Sequence, residues 1–345
     1  MKRSTVFFFA IALLLSACSK QPDSLPEFRT VKLSFNADMP VFSEADTRSS
    51  LSSVVRLSWE DGDSLRVFNY SRGKMMKGGL TADSSGKTSR FSGELSGELA
   101  ATDSLLFIHS KGIAAEYSDN GASFDFSEQI RNRKTSQVPV FVVAKRCLAD
   151  LEQTSVSLDF SFAMALIQVN LNTIPLFEEA DSLFYGAMVT GVNPVISFSS
   201  EGGKLVETVS AKYYPEEGPE EGPEEGPEEG PEEGPKDSLE HREILFFYAD
   251  VDENNVPTTD VEPIKLPETA SLTLFLTCPR QEKAERSVVV YVDGSSYIAD
   301  FTAAEIKSGF NYFTSNMSVF QDNDVTGDEG GDVSVSSSSR LFSQP

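Results

Sequence analysis

The residues of this chain best suited to nucleophilic or metal chemistry are three cysteines and two histidines. With only His109 and His241, most zinc sites are excluded and a Ser-His-Asp arrangement is disfavoured. Cys147 and Cys278 lie in no catalytic or metal-binding motif. Carboxylates are plentiful, but no two of them form a recognisable acid–base pair. The sequence therefore predicts no catalytic residue, no metal site and no cofactor, and we interpret the chain as a protein that is not an enzyme.

Cys18 differs from the other cysteines because a motif surrounds it. An apolar run at residues 6–15 ends in Leu15-Ser16-Ala17-Cys18. The run is shorter than the roughly 20 residues of a membrane-spanning helix, so the pattern predicts a cleaved signal peptide at residues 1–17. It resembles a bacterial lipoprotein signal, which implies lipidation of Cys18, and three acyl chains at roughly 0.8 kcal/mol per buried methylene hold a protein firmly on a membrane. We expect a cell-surface lipoprotein whose partner is outer-membrane lipid, with a linker at residues 18–27. An ordinary signal peptide is the alternative.

The charge of the chain excludes one class of partner and marks two unusual segments. The formal charge is −24 and no cluster of Lys and Arg offsets it, which excludes nucleic acid. Ten glutamates belong to five copies of Pro-Glu-Glu-Gly at residues 215–234. Proline at every fourth position and repulsion between glutamates disfavour helix and strand, so we interpret residues 215–235 as a loop insertion. Residues 321–345 are typical of a flexible acidic and serine-rich tail. A segment that begins there has the spacing of oxygen ligands found in calcium-binding loops, but Val333 occupies the position of the final glutamate.

Alternating apolar and polar residues are the main structural signal. Val31, Leu33 and Phe35 alternate with polar neighbours, which predicts a first strand with one buried face. Similar runs continue to residue 320, separated by glycine and small polar residues, and no stretch keeps helical spacing. The predicted fold class is therefore all-β, of the sandwich type. Paired or closely spaced glycines are predicted in turns: Gly78, Gly79, Gly93 and Gly97.

The length of the chain fits two domains, which we place at residues 28–152 and 153–320. This division puts Cys147 and Cys278 in different domains. An oxidising compartment would permit them to pair, but we expect two separate buried thiols instead.

Five further motifs follow the cysteine motif in order: LSFNA at 33–37, the pair Thr47-Arg48, LSWEDGDSLRVF at 57–68, LDFSFAMALIQV at 158–169 and IKSGFNY at 306–312. Together they resemble the fimbrillin-like lipoproteins of Bacteroidetes, which supply the subunits, tips and anchors of type V pili. The resemblance implies two transthyretin-like Greek-key β-sandwich domains in series.

The same resemblance implies assembly by strand exchange. In pilins of this family a protease cuts after a basic residue behind the first strand, that strand leaves, and a neighbour's C-terminal segment pairs with the exposed sheet edge. Other fimbrial subunits are then the partners, and a host protein or glycan is the expected receptor. The residues implied are Arg48 at the protease site, Val31, Leu33 and Phe35 in the exchanged first strand, and Asn311, Phe313, Met317 and Val319 in the donor strand. The alternative donor is the tail, with Val333, Val335, Leu341 and Phe342, although its serines make it less suitable.

A surface glycan-binding lipoprotein is the alternative function, since such proteins share the lipid tether and stack β-sandwich modules. Sugar sites expose aromatic platforms. Trp59 is the only tryptophan and lies beside a predicted turn, where we expect it to be buried. Tyr213 and Tyr214 are the better candidates for an exposed platform.

Overall fold

The computed structural model describes residues 26–44, 57–132, 138–152, 156–170, 183–214, 239–251, 257–261, 264–265, 273–284, 286–292, 295–300 and 305–313. Their secondary structure is almost entirely β, with one short helix, α1 (Leu148–Leu151), within these ranges. The predicted all-β class is confirmed. Within these residues no helix is long and apolar enough to cross a membrane.

The largest sheet has nine strands and curls around a buried aromatic core. Its two end strands are separated in sequence by Phe160 alone, so one short segment borders both ends of the sheet. Phe35 packs edge-on against Phe107 at 5.4 Å between ring centroids, which places aromatic rings from distant strands in contact. In order across the sheet the strands are β12 (Ser157–Asp159), β1 (Glu27–Asp38), β6 (Thr88–Leu99), β5 (Lys77–Ala82), β3 (Ser64–Asn69), β7 (Ser104–Lys111), β11 (Val140–Cys147) and β13 (Ser161–Phe162), with β4 (Lys74–Met75) beside β3.

The remaining strands form four smaller sheets. The seven-stranded sheet contains β10 (Glu128–Asn132), β20 (Glu243–Val251), β15 (Leu183–Thr190), β24 (Ser287–Val292) and β25 (Ser295–Asp300), with β21 (Pro257–Val261) beside β20 and β22 (Ile264–Lys265) beside β15. One four-stranded sheet has the order β2 (Ser43–Glu44), β26 (Phe310–Phe313), β14 (Met164–Asn170) and β23 (Thr273–Pro279); the other has β17 (Lys204–Ser210), β16 (Val195–Glu201), β9 (Gly121–Asp125) and β8 (Ala114–Ser118). A two-stranded ribbon joins β18 (Lys212–Tyr214) to β19 (Leu239–His241).

Strands from the first and second halves of the chain pair with each other. β9 is antiparallel to β16, and β10 is parallel to β20. The buried Gln129 side chain in β10 makes a further contact between the two halves, because its Oε1 accepts a hydrogen bond of 2.9 Å from the Thr277 amide in β23. The predicted domains at residues 28–152 and 153–320 thus share paired strands, and the position of their boundary stays a prediction.

The prediction that Gly78, Gly79, Gly93 and Gly97 lie in turns is wrong. The first two lie in β5 and the last two in the adjacent β6. A Cβ atom at Gly93 would lie 2.2 Å from the carbonyl oxygen of Gly79, and one at Gly78 would lie 2.2 Å from that of Glu94. These positions therefore need glycine because two backbones approach closely, a requirement that glycine meets within strands as well as in turns.

No disulfide joins Cys147 and Cys278, both of which lie in the described part of the chain. Cys278 is buried, and burial raises the pKa of its thiol to about 12. The expectation of two separate thiols is confirmed, although Cys147 is only half-buried.

Candidate functional site: the first strand

The first strand is a half-buried strand of the kind predicted. Val31, Leu33 and Phe35 are 7%, 3% and 3% exposed, while the residues between them face solvent. β1 pairs with β6 in an antiparallel ladder that runs without interruption from Glu27 opposite Leu99 to Asp38 opposite Thr88. The alternation in sequence therefore has a direct cause, since every second side chain of a strand points to the same face.

The second edge of β1 is only partly covered. β12 pairs with it in parallel, from Asn36 opposite Ser157 to Asp38 opposite Asp159. Within the described residues no strand pairs with that edge between Glu27 and Phe35. Most of β1 is thus held by a single ladder, to β6, and by its buried side chains. The strand can therefore leave without the loss of a second full-length ladder.

Trp59 forms a contact with β1 that the sequence did not reveal. Its indole Nε1 donates a 3.0 Å hydrogen bond to the carbonyl oxygen of Ala37, and the ring is fully buried. The ring packs edge-on against Phe91 at 4.9 Å and Phe160 at 5.3 Å between centroids. The expectation that Trp59 is buried is confirmed. Removing β1 would leave a buried N–H donor without its acceptor, which is costly in an apolar environment.

His109 lies beside Trp59 in the same core. Its Nδ1 is 3.0 Å from the carbonyl oxygen of Ser64, and its Nε2 is 3.8 Å from Oδ2 of Asp63. Burial lowers the pKa of His109 below its ordinary value, against the opposing effects of the Ser64 hydrogen bond and the Asp63 carboxylate. The imidazole is therefore held neutral in the folded chain, with Nδ1–H as the donor to Ser64.

This burial predicts a loss of stability at acid pH. The unfolded chain takes up a proton at His109 near pH 6.5, the ordinary value, while the folded chain does not. The free energy of unfolding should therefore fall as the pH drops below about 6.5, with a contribution of up to about 1.4 kcal/mol per pH unit. Urea unfolding followed by Trp59 fluorescence at several pH values measures this slope. His109→Gln should flatten it, and an unchanged slope in His109→Gln would contradict the assignment.

A second short strand precedes Arg48 and was not predicted. β2 pairs in parallel with β26, and the Ser43 amide donates a 2.8 Å hydrogen bond to the Gly309 carbonyl oxygen. Next to it, the Phe42 ring stacks on Phe162 at 3.9 Å between centroids. Arg48 itself lies outside the described residues. Because β1 and β2 both precede Arg48, a cut after that residue would separate both strands from the rest of the chain.

The predicted donor strand is divided between described and undescribed residues. Asn311 and Phe313 lie in β26, between β2 and β14, and Asn311 is buried. Met317 and Val319 lie outside the described residues, as does Cys18. β26 already lies between β2 and β14 in the chain's own sheet. The residues after Phe313 are therefore the ones available as a donor segment, unless β26 itself leaves that sheet. The donor role stays a prediction.

Among the described residues no cluster of His, Cys, Asp and Glu side chains could hold a metal ion. The acidic segment beginning at Asp322 lies outside them.

No protein-family model matches the sequence, and no curated protein matches it significantly. Solved structures similar to the chain include a candidate cell adhesion protein from Bacteroides uniformis, with a TM-score of 0.43 and 10% identity over 82% of this chain and 90% of that chain. A candidate cell adhesion protein from Bacteroides ovatus has a TM-score of 0.40 and 10% identity over 86% and 96% of the two chains. The tip fimbrial protein Mfa3 from Porphyromonas gingivalis, truncated at its C-terminus, has a TM-score of 0.29 and 9% identity over 79% and 82%. Membership of the fimbrillin-like lipoproteins stays a prediction.

Proposed function

We propose that this chain is a cell-surface fimbrial or adhesive component, tethered to outer-membrane lipid through Cys18 and joined to other subunits by strand exchange. β1 is the strand that leaves, and Arg48 is the site of the cut that releases it. Other fimbrial subunits are the partners, with a host protein or glycan as the receptor. The protein works as a structural and binding component and not as an enzyme.

The observation that carries this proposal is the position of β1 in its sheet. One face of the strand fills the aromatic core, one edge is fully paired, and most of the other edge is without a strand among the described residues. An extended segment with alternating apolar residues can therefore replace β1 by forming the same ladder to β6 and filling the same core positions. Backbone pairing supplies affinity in such an exchange, and the side-chain alternation sets its register.

A cut after Arg48 also releases β2, which extends the consequences of processing to a second sheet. Loss of β2 exposes the edge of β26 and removes Phe42 from the face of Phe162. A replacement segment long enough to follow both strands would cover both exposed edges. This makes a long, extended donor more suitable than a short one.

The proposal predicts different N-termini in assembled and unassembled protein. Chains in the assembled fraction should begin at Ser49, and unprocessed chains should begin at an acylated Cys18. The measurement is mass spectrometry of both fractions from the native cells. Arg48→Ala should keep the acylated start and remove the chain from the assembled fraction. The control Arg56→Ala changes another basic residue, further along the chain, and should behave as the parent. An acylated Cys18 start in all assembled material would contradict strand exchange and leave an anchoring role.

Trp59 is fully buried, so it offers no exposed platform to the glycan-binding alternative. Tyr213 and Tyr214 lie in β18, next to the Pro-Glu-Glu-Gly repeat. In this proposal glycan enters as a receptor of the assembled fimbria.

A further inference from the structure

A cleft of about 820 Å³ opens on the surface of the protein. Residues of β13, of β17, and of the connection between β23 and β24 line it, together with residues that precede β26. None of the lining residues belongs to β1. One of them, Phe162, packs against Phe42, which the proposed cut would release.

The cleft has an excess of positive charge in a strongly acidic chain. Its lining contains five cationic side chains and three carboxylates, whereas the whole chain has a formal charge of −24. A local surplus of this sign attracts acidic groups while the rest of the surface repels them. The cationic residues are Arg242, Arg280, Lys283, Arg286 and Lys307, and the acidic residues are Glu207, Glu282 and Glu305.

Contacts within the lining position some of these groups. Arg280 Nε lies 3.3 Å from Oε1 of Glu207. Arg286 is only 4% exposed, and its guanidinium donates hydrogen bonds to the carbonyl oxygens of Ala284 and Glu282. Burial lowers the pKa of Arg286 from its ordinary value. Backbone carbonyls therefore hold this guanidinium in one orientation.

One wall of the cleft is the outer edge of a sheet. β17 ends its sheet, and the Leu205 amide donates a 3.2 Å hydrogen bond outward to the Tyr70 carbonyl oxygen. Because amides alternate along a strand, those of Glu207 and Val209 point to the same outer edge, and both residues line the cleft. Among the described residues no strand pairs with this edge. An extended peptide can pair there while its side chains reach the basic groups.

We infer that this cleft binds an extended acidic peptide segment of a partner protein, through the outer edge of β17 and the surrounding basic side chains. The backbone edge favours a peptide over an acidic polysaccharide, because it offers donors and acceptors at the spacing of a strand. The single aromatic residue in the lining, Phe162, is 5% exposed and provides no platform for a sugar ring.

Fluorescence anisotropy with a labelled decapeptide of alternating Glu and Thr tests this inference on the full mature chain. The peptide should bind, and alternating Gln and Thr should bind at least about tenfold more weakly because the charge is absent. N-methylation of alternate amides should weaken binding by about fivefold or more, because it blocks edge pairing without changing the charge. The double variant Arg242→Glu with Lys283→Glu should lose at least about tenfold in affinity. Its matched control, Lys77→Glu with Lys87→Glu, makes the same charge change at exposed positions outside the cleft and should stay within about twofold of the parent.

Three results would overturn the inference. The first is no binding of the acidic decapeptide. The second is equal binding by the charge-reversed cleft variant, with circular dichroism showing that both variants fold. The third is binding that ignores N-methylation and is matched or exceeded by a polygalacturonate oligosaccharide, which would assign the cleft to acidic polysaccharide.

Discussion

A chain that begins at Ser49 is expected not to reach the native fold alone, and to reach it when a peptide with the sequence of Glu27–Asp38 is added. The shortened chain lacks Val31, Leu33 and Phe35, all of which are buried in the intact protein. Side chains of this size contribute roughly 1.5–3 kcal/mol each on burial. Their sum is comparable with the total stability of about 5–15 kcal/mol that is typical of a folded domain. The loss also exposes the whole ladder edge of β6.

Trp59 fluorescence provides the readout, because the indole donates to Ala37 of the missing strand and is the only tryptophan. Addition of the β1 peptide should shift its emission to the blue and restore a cooperative unfolding transition. A peptide with Leu33→Asp serves as the control, since it keeps the backbone but places a charge in the core, and it should not rescue the fold. If the chain from Ser49 melts at the same temperature as the parent without any peptide, β1 is not the strand whose place a donor takes.

The sequence predicts β1 well because its signal is local. Val31, Leu33 and Phe35 alternate with polar residues, and the structure places these three side chains in one buried row. Trp59 is predicted as buried because it lies beside a predicted turn, within the family-like motif at residues 57–68. Its hydrogen bond to Ala37 is not predictable, because the partner is 22 residues away and the bond is made through a backbone atom that every residue has.

Long-range pairing explains what the sequence does not reveal. Gln129 contacts Thr277 across 148 positions, and β10 pairs with β20, yet neither segment differs in composition from an ordinary strand. β2 has only two residues and leaves no periodicity to detect. The sequence wrongly predicts a turn at Gly93, because glycine is favoured both in turns and where two backbones approach closely. The second condition depends on a neighbouring strand that the local sequence does not identify.

Asp103 is a further position whose importance depends on spatial neighbours. Its carboxylate accepts hydrogen bonds from Asn69 Nδ2 at 2.7 Å and from Arg72 Nε at 2.7 Å, and also from the backbone amide of Ala100 at 2.9 Å. Asn69 donates to the carbonyl oxygen of Glu98 as well. One buried carboxylate therefore joins the end of β3, the following turn and the end of β6, where Leu99 lies opposite Glu27, the first residue of β1.

Asp103→Ala should lower the free energy of unfolding by about 3–5 kcal/mol, because it leaves the buried Asn69 amide, the Ala100 amide and the half-buried Arg72 guanidinium without their common acceptor. Asp103→Asn keeps the shape and one acceptor but loses the charge, so its effect should be smaller. Urea unfolding at neutral pH measures both. Asp150→Ala is the matched control: Asp150 Oδ2 lies 3.5 Å from Arg146 Nε, but both side chains are about half exposed, at 49% and 46%, so its loss should cost no more than about 1 kcal/mol. If the free energy of unfolding of Asp103→Ala lies within about 1 kcal/mol of the parent's, water replaces the carboxylate. This end of the sandwich is then more accessible to solvent than the hydrogen bonds indicate.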